Sequence, residues 1–127
     1  MQENHLFEYA VIRIVPRVER EEFLNVGVVL YCSKLNFLQS MFQVDHEKSR
    51  AFCGALDIAA VEESLLAFKR ICEGGEGAGP IGKLDIASRF RWLTATRSTV
   101  VQSSKVHPGF CVDAGETLVR LYGQLVL

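Results

Sequence analysis

The sequence predicts an α+β domain, on two observations. Runs of β-branched and aromatic residues fill the first third of the chain, from Leu6 to Val44. Beyond Asp45 the apolar residues recur at helical spacing, with few strict strand–helix–strand alternations. Strands first and helices later indicate an antiparallel sheet with a separate helical layer. The expected architecture is an N-terminal β-meander plus one or two later strands, covered on one face by helices that include a C-terminal helix. The 127 residues read as a single domain, 1–127, large enough to bury a core without staples.

Each element has its own signal. Leu6 to Val15 and Phe23 to Cys32 are β-rich runs separated by the polar break Pro16–Glu22, which reads as a hairpin. Asn36 to Val44 follows as a third strand through a tight turn at Ser33-Lys34. Asp45 can cap a short helix toward Leu56. Asp57 can cap a stronger one, because Ile58, Val61, Leu65, Phe68 and Cys72 fall on one helical face. Gly74-Gly75 stops it, and residues 74–83 read as a mobile surface loop. Asp85 to Leu93 suggests a helix with Ile86, Phe90 and Leu93 inward and Arg89 and Arg91 off that face. Ser98–Ser103 and Val106–Val112 are candidate strands, the second interrupted at Pro108-Gly109. Asp113-x-x-Glu116 then opens a final helix whose apolar stripe is Leu118, Leu121, Tyr122 and Leu125.

Composition excludes several classes. With 49% hydrophobic and 23% charged residues, the chain is no disordered tail or coiled coil. A net charge of -1 is unlike that of a protein devoted to coating nucleic acid. The N-terminus lacks the basic and apolar regions of a secretory signal, and the longest apolar run, Val26 to Cys32, is far shorter than a membrane helix. The four cysteines, Cys32, Cys53, Cys72 and Cys111, show no C-x-x-C pair and no zinc-ligand spacing. They read as reduced, buried, structural thiols of a cytoplasmic protein. No metal and no cofactor is expected.

Several motifs match only as letters. Gly77-x-x-x-x-Gly82-Lys83 lacks the hydroxyl residue of a P-loop, since Leu84 follows, and it comes after a helix where a strand is required. Gly77-x-Gly79-x-x-Gly82 has no strand before it either. His46-Glu47 begins a zinc-protease motif, but Arg50 stands where the second histidine belongs. The acids Glu19, Glu21 and Glu22 sit among Arg17 and Arg20 in a polar turn, the pattern of a solvated charge cluster.

Two segments hold less ordinary chemistry. Asn25 and Gly27 interrupt an otherwise apolar strand, and each needs a reason. Strict alternation puts Asn25, Gly27, Val29 and Tyr31 on one face and the core residues Leu24, Val26, Val28 and Leu30 on the other. Either the pair is a packing notch with Asn25 bonded to main chain, or it borders a binding site. The second segment gathers Lys83, Arg89, Arg91, Arg97 and Lys105 against the single acid Asp85. Within it, Arg97 and Ser98 suit a phosphate, a carboxylate or an acidic side chain, and Gln102 and His107 add adaptable donors and acceptors. The plainer alternative is solvated or ion-paired arginines with Trp92 in the core.

These segments also carry a resemblance. The strand Tyr9–Pro16, a charged turn, and then Glu22, Asn25, Val26, Gly27, Val28, Val29 and Leu30 form one signature. Arg97, Ser98, Gln102, Ser104, Val106, His107, Gly109 and Asp113 form a second. Together they resemble the bacterial domain-of-unknown-function family numbered 3037, over nearly the whole chain. The resemblance brings no established activity with it. It implies a protein partner, a kinase-like protein of the HipA type encoded nearby.

Three readings follow. The favoured one is a non-enzymatic, cytoplasmic partner-binding module, with Asn25, Gly27 and the segment Arg97–His107, including Ser98 and Gln102, at the contact surface. The second is a phosphate or nucleic-acid binder using the Lys83–Lys105 basic segment. The third is an enzyme with His107 as general base, oriented by Asp113 or Glu22. Oligomeric state is not set by any motif in the sequence.

Overall fold

The computed structural model describes residues 3–97 and 99–127. Strands β1 (His5–Ile14), β2 (Leu24–Cys32) and β3 (Phe37–Phe42) form the expected antiparallel meander. Two later strands, β4 (Val101–Ser103) and β5 (His107–Cys111), both pair with the remaining edge of β1. The sheet order is therefore β3-β2-β1, with β4 and β5 as one edge strand in two pieces. Helices α1 (His46–Phe52), α2 (Ile58–Glu73), α3 (Ile86–Leu93) and α4 (Ala114–Leu125) complete the α+β class that the sequence predicts. Asp45, Asp57, Asp85 and Asp113 cap them, each carboxylate accepting the N–H three residues on at 2.8–3.1 Å.

The helical cover differs from a one-faced layer. Ala10, Ile12, Val29 and Tyr31 pack against α2 and α3 through Val61, Leu65, Phe68 and Phe90. Phe7, Val28, Leu30 and Cys32, on the opposite face, pack against Leu118, Leu121 and Tyr122 of α4. Because β2 is central and nearly all apolar, both of its faces need cover, and one helical layer cannot supply it.

A β-bulge also revises the faces assigned to Asn25 and Gly27. Ile12 pairs with Gly27 but Arg13 pairs with Asn25, so Val26 is an extra residue on β2. Alternation slips by one there. Gly27 joins the α2/α3 face, while Asn25 turns to the α4 face, where its Nδ2 donates to Leu125 O at 3.1 Å.

Two further expectations change. Pro108 and Gly109 do not interrupt β5: Pro108 pairs with Glu8 on an edge strand, and Gly109 lies under the Phe7 ring. The break falls instead at residues 104–106. There the buried Ser104 accepts the Val11 N–H on its hydroxyl at 2.8 Å and donates its own N–H to Val11 O at 2.8 Å. Residues 74–83, read as a surface loop, do lie mostly exposed but carry local structure. Glu76–Lys83 forms 3-10 turns closed by a Gly75 N–H to Gly82 O bond of 2.9 Å, with Gly82 buried.

Cys32, Cys72 and Cys111 are buried and Cys53 is half-buried; all are free thiols. Burial pushes the Cys72 thiol up to about 11 and raises that of Cys111, and a protonated thiol is a poor nucleophile. Alkylation of the native protein at mildly alkaline pH should therefore label Cys53 first. Labelling of Cys72 should await unfolding, as peptide mapping by mass spectrometry would show. Among the described residues no helix is long and apolar enough to cross a membrane.

Candidate functional site

The residues singled out in the sequence divide between the two sides of the sheet. Asn25, Arg13 and Gln102 stand in one cross-strand row over β2, β1 and β4. Directly opposite residues share a face, so all three lie on the α4 side. His107 pairs with Tyr9 on that same side, their rings 5.4 Å apart, and is exposed. The Arg13 guanidinium stacks on Phe23 at 3.9 Å, and burial holds its pKa below the usual arginine value. Arg13 Nε and Asn25 Oδ1 are buried without a hydrogen-bond partner among the described residues. Gln102 is engaged locally, its Nε2 donating to Thr99 O at 2.7 Å.

Gly27 faces the other way and has no room for a ligand. A Cβ there would meet Met41 O at 2.5 Å and Phe42 Cβ at 2.7 Å, so the glycine is a packing notch for β3. Ser98 lies outside the described residues. Among the described residues, no hydrogen bond or ion pair joins His107 to Asp113 or Glu22. Asp113 is held by the α4 N-terminus and Glu22 by Arg20.

The basic segment is dispersed by the fold. Arg89, read from the helical wheel as outward, is only 8% exposed. Its guanidinium donates to Ile71 O at 2.8 Å and Cys72 O at 2.7 Å, at the end of α2, while Nε donates to Leu84 O at 3.1 Å. Arg91 forms a two-bond pair with Glu8 at 2.8 and 2.9 Å. Arg97 donates to Trp92 O and lays its guanidinium over the Trp92 ring, 4.8 Å from the centroid.

Arg97 borders a cleft. It lies between α2 and residues 92–97 and 99–101, with a volume of about 430 Å³, within the range of natural binding sites. Ala60, Ser64, Ala67 and Ile71, at helical spacing on α2, make one wall. Trp92, Val100 and Val101 make the other, with Arg97 and Thr99 as polar groups. Trp92 is 46% exposed and Val100 41%, which corrects the core reading of Trp92. The stripe Ile86, Phe90, Leu93 already leaves position 92 off the buried face of α3, so that signal was present in the sequence. The small-residue wall of α2 was missed because alanines on an exposed helical face carry no pattern of their own.

No curated protein and no solved structure shows significant similarity to the chain. A family model does match, over residues 9–126, and that span contains every strand from β2 onward, all four helices and most of β1. The chain belongs to the family described as Protein of unknown function (DUF3037).

Proposed function

We propose that this is a cytoplasmic, non-enzymatic partner-binding domain that engages a protein through the cleft that α2 forms with Trp92, Arg97 and Val100. The observation that carries the reading is the pairing of a half-exposed tryptophan with a stacked arginine beside an apolar wall. Tryptophan and arginine dominate the energetics of protein interfaces, since each combines a large contact area with directional polar chemistry. The cleft suits an apolar anchor from the partner, with an acidic side chain placed against Arg97. A kinase-like protein of the HipA type, the partner implied by the resemblance, is the candidate to test first.

The fold disfavours the nucleic-acid reading. Arg89 is buried against the end of α2, away from any phosphate-binding surface, and the exposed Arg91 already pairs with Glu8, so the basic segment does not form one free cationic patch. Binding to the HipA-type protein is measured by titration calorimetry with wild type, Trp92→Ala and Arg97→Ala. Each variant is expected to weaken the complex roughly tenfold or more, with the thermal midpoint little changed because both side chains are largely outside the core. Wild-type affinity in both variants, or absence of any complex, would sink the proposal.

A further inference from the structure

We infer that the free edge of β3 pairs with the β3 edge of a second copy, joining two sheets into one across a twofold axis. The two edges of the sheet differ in a way that points there. The β4/β5 edge is broken at 104–106 and carries Pro108, both devices that block strand addition. Strand β3, Phe-Leu-Gln-Ser-Met-Phe, has no charge, proline or bulge. An unbroken, uncharged edge offers unpaired N–H and C=O groups to another strand.

Clefts flank that edge on both faces. One, of about 600 Å³, runs along residues 36–40 beside Lys69, Cys72 and Glu73 of α2. The other, of about 530 Å³, lies between Gln39, Met41 and the α4 residues Glu116, Leu118 and Val119. An exposed apolar side chain, Val119 of α4 at 59%, lines the second of them. An added strand would drop alternate side chains into the two clefts.

The chemistry of the edge favours a second copy as the occupant. In a twofold antiparallel pair, opposed residues must share a face, so the axis passes between the two copies of one residue. Centred on Ser40, the pairing sets Leu38 opposite Phe42 of the second copy, and Gln39 opposite its Met41. Leu38 and Phe42 both belong to the α2/α3 side of the core, so apolar meets apolar. Ser40 shares its cleft with Lys69 and Glu73, which lie one helical turn apart with opposite charge. Two antiparallel copies of α2 then bring Lys69 of each toward Glu73 of the other. The edge is thus self-complementary in apolar pattern and in charge.

Sedimentation equilibrium of the full chain tests this. Wild type is expected to reach twice the chain mass in a concentration-dependent manner. Gln39→Lys combined with Met41→Lys sets like charges opposite each other across the axis and should leave only monomer with an intact circular dichroism spectrum. Lys69→Glu, at an exposed position that leaves the core alone, should weaken the dimer roughly tenfold, and adding Glu73→Lys should restore it. Hydrogen exchange gives a second reading, since half of the β3 amides should be slowed only in the dimer. A wild type that stays monomeric at about 100 μM, or a dimer indifferent to both sets of substitutions, overturns the inference. So does protection of β3 that appears only with an extended segment of another protein.

Discussion

Gly27→Ala is expected to destabilise the protein by about 3 kcal/mol, a large share of the roughly 5–15 kcal/mol that holds a domain together. Intrinsic preference argues the opposite sign: glycine within a strand is about 0.5–1 kcal/mol worse than alanine. Packing outweighs it. The new Cβ would stand 2.5 Å from Met41 O and 2.7 Å from Phe42 Cβ, both fixed to the neighbouring strand, with Ile12 Cδ1 at 3.1 Å. A side chain could rotate away, but a carbonyl in the β2–β3 ladder can move only if β3 moves. Gly123 of α4 supplies the contrast, since nothing lies within 4 Å of a Cβ there. Gly123→Ala should therefore stabilise by about 0.8 kcal/mol, the helix propensity difference. Thermal unfolding of both variants decides the matter. If the two alanines shift the midpoint in the same direction, the close approach of β3 to Gly27 is not what that position requires.

Most of the element order was legible because period and caps are local. The stripe from Ile58 to Cys72 and the aspartates at 45, 57, 85 and 113 place helices without reference to any other part of the chain. What was not legible is relational. The bulge at Val26 depends on how β1 and β2 register, and one extra residue is enough to send Asn25 and Gly27 to opposite faces. The split of the helices between the two faces follows from β2 being central, which no single strand reveals. Pro108 looks like a breaker until β5 is seen to be an edge.

The candidate site was less legible than the fold. Arg97 was singled out for its planar donor set, and it does border the apolar cleft. Asn25, Gln102 and His107 lie across the sheet from that cleft, close in the signature but held on another face. Sequence neighbours in a strand point alternately to two sides, so a run such as Arg97–His107 serves both surfaces at once.

Arg89→Met should cost about 3 kcal/mol and lower the thermal midpoint by about 10 °C. The last carbonyls of a helix have no intrahelical donor, and at α2 two of them, from Ile71 and Cys72, are met by a single guanidinium nitrogen. The same side chain ties Leu84, just before α3, to that helix end through Nε. A positive charge at a helix C-terminus is favoured by the macrodipole as well. Methionine keeps the stem and its packing, so the loss isolates the polar contacts and leaves buried carbonyls unpaired. Arg89→Lys keeps the charge, but its one ammonium cannot reach Leu84 O and the α2 end together, so about half the loss should remain. Amide exchange locates the damage: residues of the last turn of α2 and of the 3-10 segment should open first, while β1 and β2 keep their protection. Uniform loss of protection across the sheet would mean that Arg89 supports the core as a whole and not the junction of α2 with α3.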